Sequence, residues 1–322
     1  MDKSGASYGV RRAELLATAS LLAVCLLMSE PARASDLPVS GPPTKAPPFG
    51  EPPVAAPSWT ASAWGGYLFN DSQDVFSADE STKLGNLSSL EPGDDGYNFG
   101  LSIGHAIDEN WDWKASFNAS GFDDAQSIGV DGSVGTLAET KLDFQYGDLD
   151  VGYQVPFGDG STMRLFGGVR ILHANTSVGY GFDDGGFQGA LSNTADFWAF
   201  GPRLGLEGKL MLGASAFSLN YAVSGSVLFS DADRDVSYAS NWYDEFATRG
   251  DAVSDPVWNA EGSLALAYNF NSSASLALGY QVQQWWGLAP SVRSAEPDGD
   301  FTPGNSDVLI HGPFLKLTVT FP

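Results

Sequence analysis

The sequence predicts an all-β fold, a closed antiparallel transmembrane β-barrel of about ten strands within a range of eight to twelve. Three observations carry this expectation. Long stretches alternate apolar and polar residues, short and long connections alternate strictly, and aromatic residues gather at both ends of the strands. The clearest stretch runs from Phe217 to Phe229, where Phe217, Leu219, Tyr221, Val223, Val227 and Phe229 share one parity. Ser218, Asn220, Ser224 and Ser226 share the other. Period-two alternation of this length is a strand with one apolar and one polar face. Strands of a soluble sandwich are usually shorter, near 5–6 residues.

Ten strands follow in order, at about 59–70, 96–106, 111–120, 141–155, 162–178, 195–210, 215–230, 256–270, 274–287 and 307–321. Four links are short: Ile107 to Asn110, Pro156 to Ser161, Met211 to Ala214, and Asn271 to Ser273. Five are long: 71–95, 121–140, 179–194, 231–255 and 288–306. Outer-membrane barrels place short turns in the periplasm and long loops outside, so both ends of the barrel fall in the periplasm. With that orientation Trp111, Trp113, Tyr153, Phe217, Tyr268, Phe270 and Phe321 mark the periplasmic rim. Tyr97, Trp198, Phe200, Phe229, Trp258 and Trp286 mark the outer rim. Amphipathic rings prefer the headgroup level, which gives such barrels two girdles.

Residues 1–34 read as a cleaved export signal. Arg11 and Arg12 precede the apolar stretch Ala13 to Met28, and Ala32-Arg33-Ala34 is a small-x-small cleavage site. Cys25, the only cysteine, lies inside that segment, so the exported chain carries no disulfide. Residues 35–57 hold eight prolines and read as an extended periplasmic arm. Residues 58–322 form the barrel. Without its leader the chain has 12 basic and 36 acidic residues, which excludes nucleic acid as a partner.

Three segments carry a family likeness. Ala199-Phe200-Gly201-Pro202-Arg203-Leu204-Gly205-Leu206, Arg164 to Arg170 (RLFGGVR), and Gly279-Tyr280-Gln281-Val282 leading into Trp285-Trp286 resemble the Legionella major outer membrane protein family. The likeness covers about residues 140–321. It implies an outer-membrane location and pore activity, and it implies no catalytic residues. The chain ends Leu317-Thr318-Val319-Thr320-Phe321-Pro322, similar to the terminal aromatic signal of such barrels apart from the final proline.

If the apolar parity faces lipid, the other parity faces a lumen. It holds Asp112, Lys114, Asp148, Asp150, Arg164, Arg170, Arg203, Glu207, Lys209, Glu261 and Lys316, among glycines and small polar residues. A charge facing mid-bilayer lipid costs a few kcal/mol, whereas in a lumen it can be paired and hydrated. Two roles stay open for this set, a salt-bridge network that props the wall and the lining of a conducting path. Barrels near eight strands are filled by their own side chains, and those of sixteen or more leave a channel. Ten is nearer the filled end, so the expected path is narrow or gated.

The five long loops carry 23 acidic residues against 4 basic ones. Asp231-Ala232-Asp233-Arg234-Asp235 has the opening spacing of a calcium loop, but Val236 replaces the turn glycine and no late Glu follows. No dedicated metal site or cofactor is expected. Loose divalent-cation binding at the loops, bridging to lipopolysaccharide and other outer-membrane lipid headgroups, is. The loop charge should also give an open pore a cation preference.

Barrel enzymes place a histidine beside an acid, a serine or a nucleophile. His105 falls next to a periplasmic turn, and His173 and His311 share the outward parity of their strands. No His-Glu-x-x-His or phosphate-cradling loop is present. The sequence therefore reads as a non-enzymatic, porin-like protein passing small solutes or ions. The alternative is a closed structural or adhesive barrel presenting acidic loops.

Overall fold

The computed structural model describes residues 58–71, 95–128, 136–157, 160–183, 188–213, 215–240, 246–251, 256–295 and 301–322. The signal segment and the proline-rich arm lie outside the described residues. Alternating sequences here can satisfy their backbone polar groups in lipid only by pairing on both edges, and closure leaves no free edge. Eleven strands result: β1 Trp59–Asn70, β2 Asp95–Ala106, β3 Trp111–Ile128, β4 Thr136–Pro156, β5 Thr162–Asp183, β6 Gln188–Met211, β7 Phe217–Ser240, β8 Phe246–Asp251, β9 Val257–Asn269, β10 Ala274–Ala295 and β11 Phe301–Phe321.

Ten of these form the wall. Each pairs antiparallel with its sequence neighbours, except that β7 pairs with β9 through Phe217–Leu228. Trp59 opposite Phe321 closes β1 on β11. β8 pairs with the far end of β7, from Asp233 opposite Asp251 to Tyr238 opposite Phe246, and stands outside the ring.

The four short links are tight turns. In the first, the Asp108 carboxylate accepts the backbone N–H groups of Asn110 (2.8 Å) and Trp111 (2.7 Å). Those two donors favour the ionised form and hold its carboxyl below the ordinary value. Gly160 (φ 77°) and Gly213 (φ 63°) supply left-handed residues in the second and third.

Facing follows parity. Leu204 is 71% exposed, while the side chain of the adjacent Arg203 is 10% exposed. Val223, Leu264, Leu266 and Leu278 are exposed, and Leu219, Val227, Leu276, Leu317 and Val319 lie on the same outer face. The rims carry linked rings. Trp111 meets Tyr153 at 5.2 Å, and Phe217, Tyr268 and Phe270 follow one another at 5.3 and 5.2 Å. At the other end Trp198, Phe200, Phe229, Trp258 and Trp286 are exposed.

The strands overrun the expected boundaries. Residues 121–128, 136–140, 179–183, 188–194, 231–240, 246–251, 288–295 and 301–306, read from the sequence as loop, are paired strand. Crossing a bilayer takes about 9–11 residues, yet β4 to β7 run 21 to 24. Apolar alternation marks only the stretch where one face meets lipid. The extensions carry no continuous apolar stripe in the sequence, so a period-two reading does not find them.

Candidate functional site

The barrel interior has three layers. At the short-turn end lies a cavity of about 440 Å³. It reaches the turn residues Asn271, Ser272 and Ser273 and is lined by Lys114, Arg164, Glu207, Lys209 and Lys316 together with hydroxyls such as Thr318 and Thr320. By the orientation rule this mouth opens to the periplasm.

The middle layer is an ion-pair network that joins neighbouring strands and, through the interior, strands that are not neighbours. Arg170 on β5 holds Asp148 on β4 with two bonds, Nε to Oδ1 at 2.6 Å and Nη2 to Oδ2 at 2.9 Å. It then spans the lumen to β9, reaching Glu261 at 2.8 Å and Asn259 at 2.6 Å. Arg203 on β6 joins Asp150 (2.5 Å) and Glu261 (2.7 Å), and Ser224 donates to Glu261 at 2.6 Å. A second group lies towards the turns. Arg164 pairs with Asp112 at 2.6 Å and with Glu207 at 3.2 Å, and Lys114 meets Glu207 at 2.6 Å. Aromatic faces complete the coordination. The Arg170 guanidinium lies 4.1 Å from the Tyr146 ring centroid, and Phe166 receives Arg203 at 4.7 Å and Arg164 at 5.1 Å. Arg170 is fully buried. A cavity of about 150 Å³ sits against this network, bordered by Lys114, Asp148, Arg203, Glu207, Glu261 and Lys316.

Glycines make room for the guanidinium. A Cβ at Gly152 would stand 2.2 Å from Arg164 Nε, so the arginine lies flat against bare backbone there.

The outer layer departs from the expectation of a polar interior. Leu68, Phe122, Leu142, Phe144, Leu172, Phe197, Leu228, Val257, Trp285, Leu288, Val308 and Ile310 are all buried. They belong to nine strands and fill the lumen towards the long-loop end. Trp285 stands 5.6 Å from both Phe144 and Tyr146 on β4. β10 builds this layer with a bulge. Its register on β11 shifts between Trp285 and Ala289 around Gly287 (φ 76°), whose N–H donates to Asp307 at 3.0 Å. The shift lets both Trp285 and Leu288 turn inward despite their opposite parity.

All eleven charged residues singled out from the sequence therefore lie on the inner face. Nine are brought together in the network. Lys209 and Lys316 stand apart: Lys209 donates to Asn269 at 2.8 Å, and the Lys316 ammonium lies 5.3 Å from the Trp64 ring centroid. Sequence reasoning missed Tyr146, Asn259, Trp285 and Gly287. Only the last had a signal, a glycine directly after paired tryptophans.

Outside the lumen, two histidines of the outer rim are paired. His173 Nε2 is 3.0 Å from Asp196 and its ring stacks on Trp198 at 4.4 Å. His311 Nε2 is 2.8 Å from Asp71, and Nδ1 lies 2.5 Å from the Tyr280 hydroxyl. Gly100-Leu101-Ser102-Ile103-Gly104 has the Gly-x-Ser-x-Gly spacing. It lies wholly within β2, however, with Ser102 opposite Ser62 and Ser116, whereas a nucleophile elbow needs a strand-to-helix turn.

The described barrel is similar to several solved outer-membrane structures. It is similar to the outer membrane protease OmpT from Escherichia coli at 12% identity, over 82% of this chain and 96% of that one, TM-score 0.46. The translocator domain of autotransporter NalP from Neisseria meningitidis matches at 12% identity, over 82% and 88%, TM-score 0.37. An outer membrane channel from Pseudomonas putida F1 matches at 9% identity, over 91% and 99%, TM-score 0.29. No curated protein matches. A sequence model described as Legionella pneumophila major outer membrane protein precursor matches residues 58–321, nearly the whole of the closed wall and its interior. The chain belongs to the family of that major outer membrane protein and is a β-barrel of the outer membrane.

Proposed function

We propose that this protein is a narrow, gated pore for small solutes or ions, described here in its closed state. The observation that carries the reading is the succession of a polar cavity of about 440 Å³, a smaller one of about 150 Å³ sharing Lys114, Glu207 and Lys316 with it, and an apolar layer beyond. A hydrophobic constriction in a wetted path closes it by excluding water and opens when its side chains part. Trp285 is the largest side chain of that layer and therefore its main obstruction.

The reading contains no catalytic step; the two paired histidines of the outer rim stand on the lipid-facing side, away from the path. The acidic loops, part of which lies outside the described residues, are proposed to bind divalent cations loosely and to bridge to phosphorylated headgroups. A second reading, a closed structural or adhesive barrel, draws on the satisfied ion-pair network.

Single-channel recording of refolded protein in planar bilayers tests the choice. Brief openings in wild type, made more frequent by Trp285→Ala, support the gated pore. Silence in both proteins across the voltage range supports the structural barrel.

A further inference from the structure

We infer that the cavity at the short-turn end is a binding site for a small oxyanion, of the phosphate or carboxylate class. Four cationic groups line it, Lys114, Arg164, Lys209 and Lys316, against the single carboxylate Glu207. Two of them are already engaged. Arg164 is held by Asp112 and Glu207, and Lys114 by Glu207. Lys209 and Lys316 have no carboxylate within ion-pair distance among the described residues, and their recorded partners are a neutral amide and an indole face.

Charge of one sign in a cleft with low-dielectric walls concentrates the opposite ion. Two ammonium groups that bond no carboxylate inside a membrane-embedded wall are costly, and either loss of a proton or a bound anion relieves that cost; only the anion uses the cavity they share. The remaining wall suits such a ligand. Thr60 and Thr320 approach to 3.4 Å and Ser62 and Thr318 to 3.0 Å; in each pair one hydroxyl donates to the other, which leaves one O–H per pair, on the cavity wall, free to donate to an oxyanion. Ammonium groups act as compact point charges, which fits a small, partly hydrated anion better than a planar bidentate one. The cavity reaches the turn residues Asn271 to Ser273, so the ligand enters from the periplasmic side.

The site stands whether or not the barrel conducts. Equilibrium titration of inorganic phosphate into the refolded, detergent-solubilised protein, in phosphate-free buffer at low ionic strength, is the direct test. Parallel titrations with succinate and with sulfate separate phosphate from carboxylate sources. One saturable site is expected for at least one of these anions. Lys316→Met and Lys209→Met should each weaken it by about tenfold or more, the loss of a charge-assisted contact. Lys316→Arg should retain most of the affinity, and retained heat-modifiable gel mobility identifies the folded variants. No saturable binding to any of the three anions would overturn the inference, as would binding that survives in the folded Lys209→Met/Lys316→Met double variant. Since no current is measured, a silent pore leaves the result readable.

Discussion

Arg170 on β5 and Glu261 on β9 meet through the lumen, Nη2 to Oε1 at 2.8 Å, and this contact ties together two strands that β6 and β7 separate in the wall. The arginine is simultaneously bonded to Asp148 beside it and to Asn259, two residues before Glu261 on the same face of β9. A guanidinium offers five donors in a fixed fork, and here that fork ties its own strand β5 to β4 and β9. A lysine at the same position would satisfy fewer of these acceptors.

Breaking one buried partner strands the others. Arg170→Met should therefore destabilise the barrel by about 3–5 kcal/mol. The exposed pair Lys141–Asp143, 2.8 Å apart on the outer face, should behave differently, with Lys141→Ala costing about 0–1 kcal/mol. Urea unfolding in lipid vesicles, followed by tryptophan emission, compares the two. Equal losses would show that the central network carries no special weight.

Gly152 is predicted to be as intolerant as any charged member of the lumen. A valine there must displace Arg164 from its place against the backbone, together with its bonds to Asp112 and Glu207. Leaving a buried charged group unsatisfied costs about 1–3 kcal/mol or more. Thermal unfolding of Gly152→Val in micelles should occur below that of wild type. Gly147, whose nearest neighbour would be a carbonyl at 3.7 Å, should accept alanine with little change.

Much of this was legible because lipid imposes contrast. From Phe217 to Phe229 one face meets hydrocarbon and the other meets the interior, so parity alone placed Arg203, Glu207 and Glu261 inward. The same logic failed where the contrast vanishes. Beyond the headgroups the strand at 231–240 shows no apolar stripe, and β8 within 246–251 was invisible for the same reason. The apolar layer was hidden differently. Leu172 or Leu228 inside the lumen looks, in a sequence, like an interruption of the alternation rather than a plug. The bulge at Gly287 then reverses parity between Trp285 and Leu288, which no fixed period can follow.

The first turn offers a pH test. The Asp108 carboxyl titrates below its ordinary value because its ionised form accepts two backbone N–H groups. A depressed folded value contributes stability above the unfolded value, near 3.8, and that contribution fades as pH falls through the folded one. Asp108→Ala should thus melt below wild type at pH 7, and the gap should narrow below about pH 4. A gap that stays constant to pH 2 would mean the side chain acts through shape rather than charge.

Selectivity sets two charge populations against each other. The segments that the sequence reads as long loops hold 23 acidic residues against 4 basic ones, and on the expected orientation their field acts through water at the outer end. Its reach is about 30 Å at 0.01 M salt and about 3 Å at 1 M. Lys209 and Lys316 line the interior cavity on the proposed path, where less water intervenes and screening is weaker. The current through wild type, or through Trp285→Ala if wild type stays shut, should therefore prefer cations in dilute potassium chloride. As salt rises, the preference should shift towards chloride. Reversal potentials measured across fixed gradients at several mean concentrations read this shift. In the Lys209→Met/Lys316→Met double variant the chloride component should disappear, leaving a cation preference that simply weakens with salt. If the double variant shifts as wild type does, the lumenal lysines do not govern passage.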